Sequence, residues 1–135
     1  MNFKQPHIIT FPKYGEGAIG YISVADNNTL PFKVERVFWT YYTPESIVRG
    51  RHAHFKTEQI LIAASGRIIV TTENGAGQIE TFILDSPEKG VYIPPSVWHT
   101  MQYTHSSIQV VLASTNFDEK DYIREYEMFK KTWGQ

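Results

Sequence analysis

Turn-forming residues cut this chain about every ten residues, and the runs between them are rich in β-branched and aromatic side chains. Residues 18–24 read as a strand ended by Asp26-Asn27-Asn28, and residues 33–42 as a longer one broken by Thr43-Pro44-Glu45-Ser46. Extended pieces at 52–54 and 59–63 lead into the Ser65-Gly66 turn. Residues 67–72 and 78–84 flank Asn74-Gly75, a strong hairpin signal. Asp85-Ser86-Pro87 turns the chain again, and Gly90 precedes a short strand at 91–93. Pro94-Pro95 marks an edge or entry point before the last two strands, 97–103 and 108–114. This cadence predicts an all-β antiparallel sandwich or barrel. An aromatic content of 14% suits strands and also supplies stacking surfaces for sugars and bases.

The tail follows a different period. Tyr122, Ile123, Tyr126 and Phe129 are spaced to share one helical face, Asp118 is placed as an N-cap, and Lys130 and Lys131 suit a C-terminal dipole. We expect a barrel to about residue 116 and a short C-terminal helix over residues 117–133, within one domain of 135 residues. With no cysteine, disulfides and thiolate metal sites are excluded. A formal net charge of −1 points to no nucleic-acid partner. The opening residues MNFKQPHIITFPKYGEG lack a leader pattern, and no apolar stretch is long enough to span a membrane. The expectation is a cytoplasmic protein with no membrane partner.

Chemistry concentrates in Gly50-Arg51-His52-Ala53-His54, followed by Glu58 and Gln59. On an extended strand His52 and His54 point the same way, their Cα atoms roughly 6–7 Å apart. Glu58 joins that face if the register holds. Far downstream comes Pro94-Pro95-Ser96-Val97-Trp98-His99. Two chemistries fit His52, His54, Glu58 and His99. Three imidazoles and a carboxylate can ligate Fe, Mn, Ni or Zn. The same imidazoles can move protons next to a carbonyl without a metal, because their unperturbed pKa lies near 6.5. Spacing alone does not choose between them.

The HxHxxxE run with a later PxxxWH resembles the two-part signature of cupins, which are double-stranded β-helix (jelly-roll) barrels. More narrowly, residues 30–131 resemble the cupin-type dTDP-4-keto-6-deoxyglucose 3,4-ketoisomerases, related to the isomerase domain of WxcM-like proteins. The segments VRGRHAHFKTEQILIAASG, LDSPEKGVYIPPSVWHTM and DEKDYIREYEMFKK carry the likeness. It implies an isomerase that shifts the sugar ketone from C4 to C3 through an enediolate, with His52 as base and His54 beside it. It also implies no cofactor, no catalytic metal, a dTDP-linked keto-deoxysugar as partner and a homodimer. The product would serve deoxysugar and lipopolysaccharide biosynthesis. Substrate-side candidates are Arg49 and Arg51 for the pyrophosphate, with Tyr42, Gln59, Tyr92, Trp98 and His99 around the sugar. If the HxH strand is regular, both arginines face away from the histidines, so their role depends on a bend at Gly50. Two positions depart from the family pattern. Gly15-Glu16-Gly17-Ala18 lacks the arginine of an N-terminal turn, and Phe38 stands where a tyrosine is usual. A metal-dependent cupin enzyme and a non-catalytic nucleotide-sugar binder are the alternatives.

Overall fold

Alternation along the strands sets the layers. In the strand over Ile68–Glu73, Ile68, Val70 and Thr72 are buried while their neighbours are half-buried, so one face turns inward and the other outward. The computed structural model describes residues 4–134. In chain order the elements are β1 (His7–Thr10), β2 (Lys13–Glu16), β3 (Gly20–Ser23), β4 (Arg36–Tyr41), β5 (Val48–His54), β6 (Gln59–Ser65), β7 (Ile68–Glu73), β8 (Ile79–Leu84), β9 (Lys89–Ile93), β10 (Trp98–Tyr103), β11 (Ile108–Ala113), β12 (Tyr122–Ile123) and helix α1 (Tyr126–Trp133). They form two five-stranded sheets, β1-β9-β6-β11-β4 and β12-β5-β10-β7-β8, with β2-β3 as a separate exposed hairpin. All pairings are antiparallel. The all-β expectation holds.

The main core lies between the sheets, where Leu61, Ile68, Val70, Leu84, Val91 and Val111 are at most 1% exposed. Burying each such side chain contributes about 1.5–3 kcal/mol. A second cluster, Phe11, Ile60 and Tyr92, backs the first sheet. A third, Ala53, Ile123 and Phe129, seats α1 on the back of the second.

The helix is shorter than the tail's spacing predicts. Asp118 does cap, accepting a hydrogen bond from the Lys120 N–H at 3.0 Å, but it caps a single 3-10 turn over Glu119–Asp121. Tyr122 and Ile123 then pair with His54 and Ala53 as edge strand β12. The free edge of β5 competes for these two residues and takes them from the helix. The Asn74-Gly75 signal also resolves differently. The chain turns over five residues, closed by Asn74 accepting from the Gln78 N–H at 2.9 Å, with the positive φ at Gly77. Gly75 instead lets the backbone approach α1, since a Cβ there would lie 2.2 Å from the Trp133 carbonyl oxygen. Among the described residues no helix is long and apolar enough to cross a membrane.

Candidate active site

The site depends on an irregularity in β5. Opposite β10, His52 pairs with His99 and Gly50 with Thr100, which leaves Arg51 without a partner. Gly50 (φ +84°) and Arg51 (φ +57°) both adopt left-handed conformations. Such a bulge resets the alternation of the strand. Arg49, paired with the inward-facing Met101, therefore lines the same cavity as His52. Arg51 stays exposed, its Nε near the Val48 carbonyl oxygen. Glycine suits position 50 because a Cβ there would meet the His99 carbonyl oxygen at 2.9 Å. The bend on which the arginines' role depended is present, and it brings one of the two, Arg49, to the cavity wall, although both arginines remain exposed to solvent.

A cavity of about 80 Å³ opens between the sheets, with Phe38, Arg49, His52, Gln59, His99 and Tyr103 among its walls. The His52 ring centroid is 5.0 Å from that of His54 and 4.6 Å from that of His99. Each imidazole uses Nδ1–H to hold itself in place. His52 donates to the Gly50 carbonyl at 3.0 Å, His99 to the Val97 carbonyl at 3.1 Å, and His54 to Asp121 Oδ2 at 3.1 Å. These acceptors fix the tautomers, so every Nε2 carries a lone pair. Nε2 of His54 and of His99 is buried with no hydrogen-bond partner. Burial and then the neighbouring imidazole push His52 and His54 each down to about 4, and His99 down to about 3. All three are neutral at pH 7, poised to accept a proton or a metal ion.

Asp121 and Arg36 are site residues that the sequence reading missed. Asp121 is 8% exposed and accepts from His54, from the Lys56 N–H at 2.7 Å and from the Thr57 hydroxyl. Burial opposes its charge, but these bonds together hold its carboxyl below the usual range. Its signal was masked because Asp121 seemed to belong to the helix. Tyr122, from the adjoining β12, lays its ring 4.3 Å from His54 and 5.1 Å from His52. Its hydroxyl accepts from Arg36 Nη1 at 3.2 Å, while Arg36 Nε and Nη2 are buried and unpaired. The period-two pattern of β4 could have found Arg36, since it shares the inward face with Phe38 and Thr40.

Other candidates lie elsewhere. Glu58 does not join the histidine face. The turn after His54 resets the alternation, so the neighbouring Gln59 faces the cavity instead. The Glu58 carboxylate accepts from the Tyr92 hydroxyl and from Lys4 Nζ at 3.0 Å. Tyr92 belongs to the cluster behind the first sheet. Trp98 packs under α1, 5.7 Å from the Phe129 ring. Tyr42 is 75% exposed, edge-on to Tyr41 outside the cavity. The nitrogens of His52, His54 and His99 lie within 4.8 Å of one another, close enough to share one divalent ion, but without a carboxylate in the set. Such a donor set suits a borderline cation such as Zn²⁺.

Two facing antiparallel sheets enclosing converged histidines from an HxH strand and a distant third define a cupin-type barrel protein. Within that class the chain belongs to the family described as FdtA, WxcM-like, C-terminal, which matches residues 4–134. It is 38% identical over 125 residues to a TDP-4-oxo-6-deoxy-α-D-glucose-3,4-oxoisomerase of Aneurinibacillus thermoaerophilus, covering 92% of this chain and 89% of the relative. A 3,4-ketoisomerase from Helicobacter canadensis superposes with a TM-score of 0.90 at 28% identity, over 96% of this chain and 98% of that one. A histidine-to-asparagine variant of the 3,4-ketoisomerase from Thermoanaerobacterium thermosaccharolyticum, solved with TDP-4-keto-6-deoxyglucose, also gives 0.90 at 28% identity. It covers 98% of this chain and 96% of that one.

Proposed function

We propose that this protein is a sugar-nucleotide 3,4-ketoisomerase that converts dTDP-4-keto-6-deoxyglucose to its 3-keto isomer by histidine-mediated proton transfer. The observation that carries this reading is the set of neutral imidazoles, each locked with Nε2 as a free base, of which His52 and His99 line the cavity and His54 packs against His52. His52 Nε2 removes the C3 proton. The C–H pair forms a C3–C4 double bond as the C4 carbonyl pair moves onto its oxygen. The C4 oxygen takes up a proton, the C3 hydroxyl loses one, and C4 is protonated to leave the ketone at C3. Proton donors around a dry pocket stabilise the enediolate. The Gln59 amide N–H is such a donor on the cavity wall, whereas His54, oriented by Asp121, and His99 present lone pairs at Nε2 and act as proton acceptors, donating only once one of them has taken up a proton.

Arg49 holds the pyrophosphate, for which a planar guanidinium is well suited. Arg51, Tyr42, Tyr92 and Trp98 lie outside the cavity and have no part in this proposal. A cytoplasmic homodimer is part of the same proposal, and the exposed stripe of Val37, Trp39 and Tyr41 on β4 supports it. The test is metal-stripped protein incubated with dTDP-4-keto-6-deoxyglucose in heavy water, read by NMR. We expect a 3-keto sugar without added metal and at least about a hundredfold less of it from His52→Asn, in line with the usual effect of losing a general base. No new ketone from folded, nucleotide-binding protein would remove the proposal, and turnover only after metal is restored would favour the metal-dependent alternative.

A further inference from the structure

The cavity has a second polar end that proton transfer leaves unused. Along β10, His99, Met101 and Tyr103 share the cavity face, which sets the Tyr103 Cα roughly 13 Å from that of His99. Tyr103 is 4% exposed, and its hydroxyl sits beside the Thr40 and Gln109 side chains without completing a hydrogen bond. Gln109 on β11 is 1% exposed, and its Oε1 is likewise unpaired. Both line the cavity, together with Thr40 and Arg49. Buried polar groups in a folded protein almost always have partners, so two orphans in one cavity call for a ligand that supplies them.

The chemistry of the pair narrows that ligand. A phenol and an amide present both a donor and an acceptor. They complement a hydroxyl group, which gives one hydrogen bond and accepts another, whereas a phosphate oxygen only accepts. With the base at C3 and Arg49 on the phosphate at C1, the ring hydroxyl between them is the one on C2. We propose that Tyr103 and Gln109 form a hydroxyl-recognition pair that reads the C2 hydroxyl of the hexose. The choice of ring position rests on the ketoisomerase reading. The pair touches no reacting atom, and its contribution is to specificity. It also supplies, from a different strand, the phenol that Phe38 does not.

The test is a binding cycle with two probes that lack the ketone, TDP-glucose and TDP-2-deoxyglucose, titrated by calorimetry. Wild-type protein should prefer the 2-hydroxy probe by about tenfold, the usual scale for a hydrogen-bonded hydroxyl. Tyr103→Phe and Gln109→Met should bind the 2-deoxy probe as wild type does and shrink the preference to about threefold or less. Loss of affinity for both probes alike would report damage and overturn the assignment. So would a wild type without preference, or variants that keep it in full. Turnover of dTDP-4-keto-6-deoxyglucose by the wild type is measured alongside. Its absence with the preference intact would remove the isomerase reading and leave the recognition pair standing.

Discussion

Mild acid should strip stability from this fold through the three histidines of the site. An unfolded chain titrates its imidazoles near 6.5, whereas the folded protein holds His52 and His54 near 4 and His99 near 3. Between those values the unfolded chain binds protons that the folded chain refuses. Stability is therefore full above about pH 6.5 and falls as the pH drops towards 4. At pH 5 all three are still neutral when folded, so repulsion between imidazolium ions has not begun and the contributions add. At that pH the solution lies about 1.5 units below the unfolded pKa of each imidazole, or about 2 kcal/mol apiece, and the three together come to about 6 kcal/mol. That is comparable with the whole stability of a typical domain, about 5–15 kcal/mol. The local slope approaches three protons, about 4 kcal/mol per pH unit. Asp121, Glu88 and Glu119 have carboxyl groups below their usual range and titrate under this window. Urea unfolding at several pH values between 7 and 5, followed by tryptophan fluorescence, reads the slope directly. His52→Gln should flatten it by about one proton. A slope below one proton between pH 6 and 5, or a His52→Gln protein as steep as wild type, would refute the reasoning.

Two substitutions probe how the site is positioned. Gly50→Ala places a Cβ at a left-handed φ and 2.9 Å from the His99 carbonyl oxygen; we expect a cost of about 1–2 kcal/mol in thermal or urea unfolding. Turnover should fall further than stability does, because straightening β5 swings Arg49 out of the cavity, and unchanged turnover would mean that the bulge does not position the site. Asp121→Asn keeps the shape but removes the charge that His54 Nδ1–H leans on. We expect kcat to drop about ten- to a hundredfold with a far smaller change in KM; nitrogen-shift NMR should show His54 losing its fixed tautomer, and a retained tautomer with full kcat would contradict the role.

What could be read along the chain was local. Period-two runs between Gly, Pro and Asn turns reveal strands because the pleat and the turn conformations are set by neighbouring residues. Nine of the eventual strands, and the shared face of His52 and His54, follow from that alone. The pairing of HxH with a distant PxxxWH pointed correctly to His99. The remaining features depend on contacts that only folding makes. Parity along a strand survives no bulge, so Arg49 entered the cavity and Arg51 did not. It survives no turn either, so Gln59 took the place expected for Glu58. Asp121 reaches His54 across 67 residues of chain, and β12 forms only because β5 leaves an edge open to Tyr122 and Ile123. Local propensity spoke for a longer helix there, and backbone pairing with β5 outweighed it. The same long-range closure buries Tyr103 and Gln109 in one cavity and depresses the histidines, since desolvation is a property of the assembled core and of no residue alone.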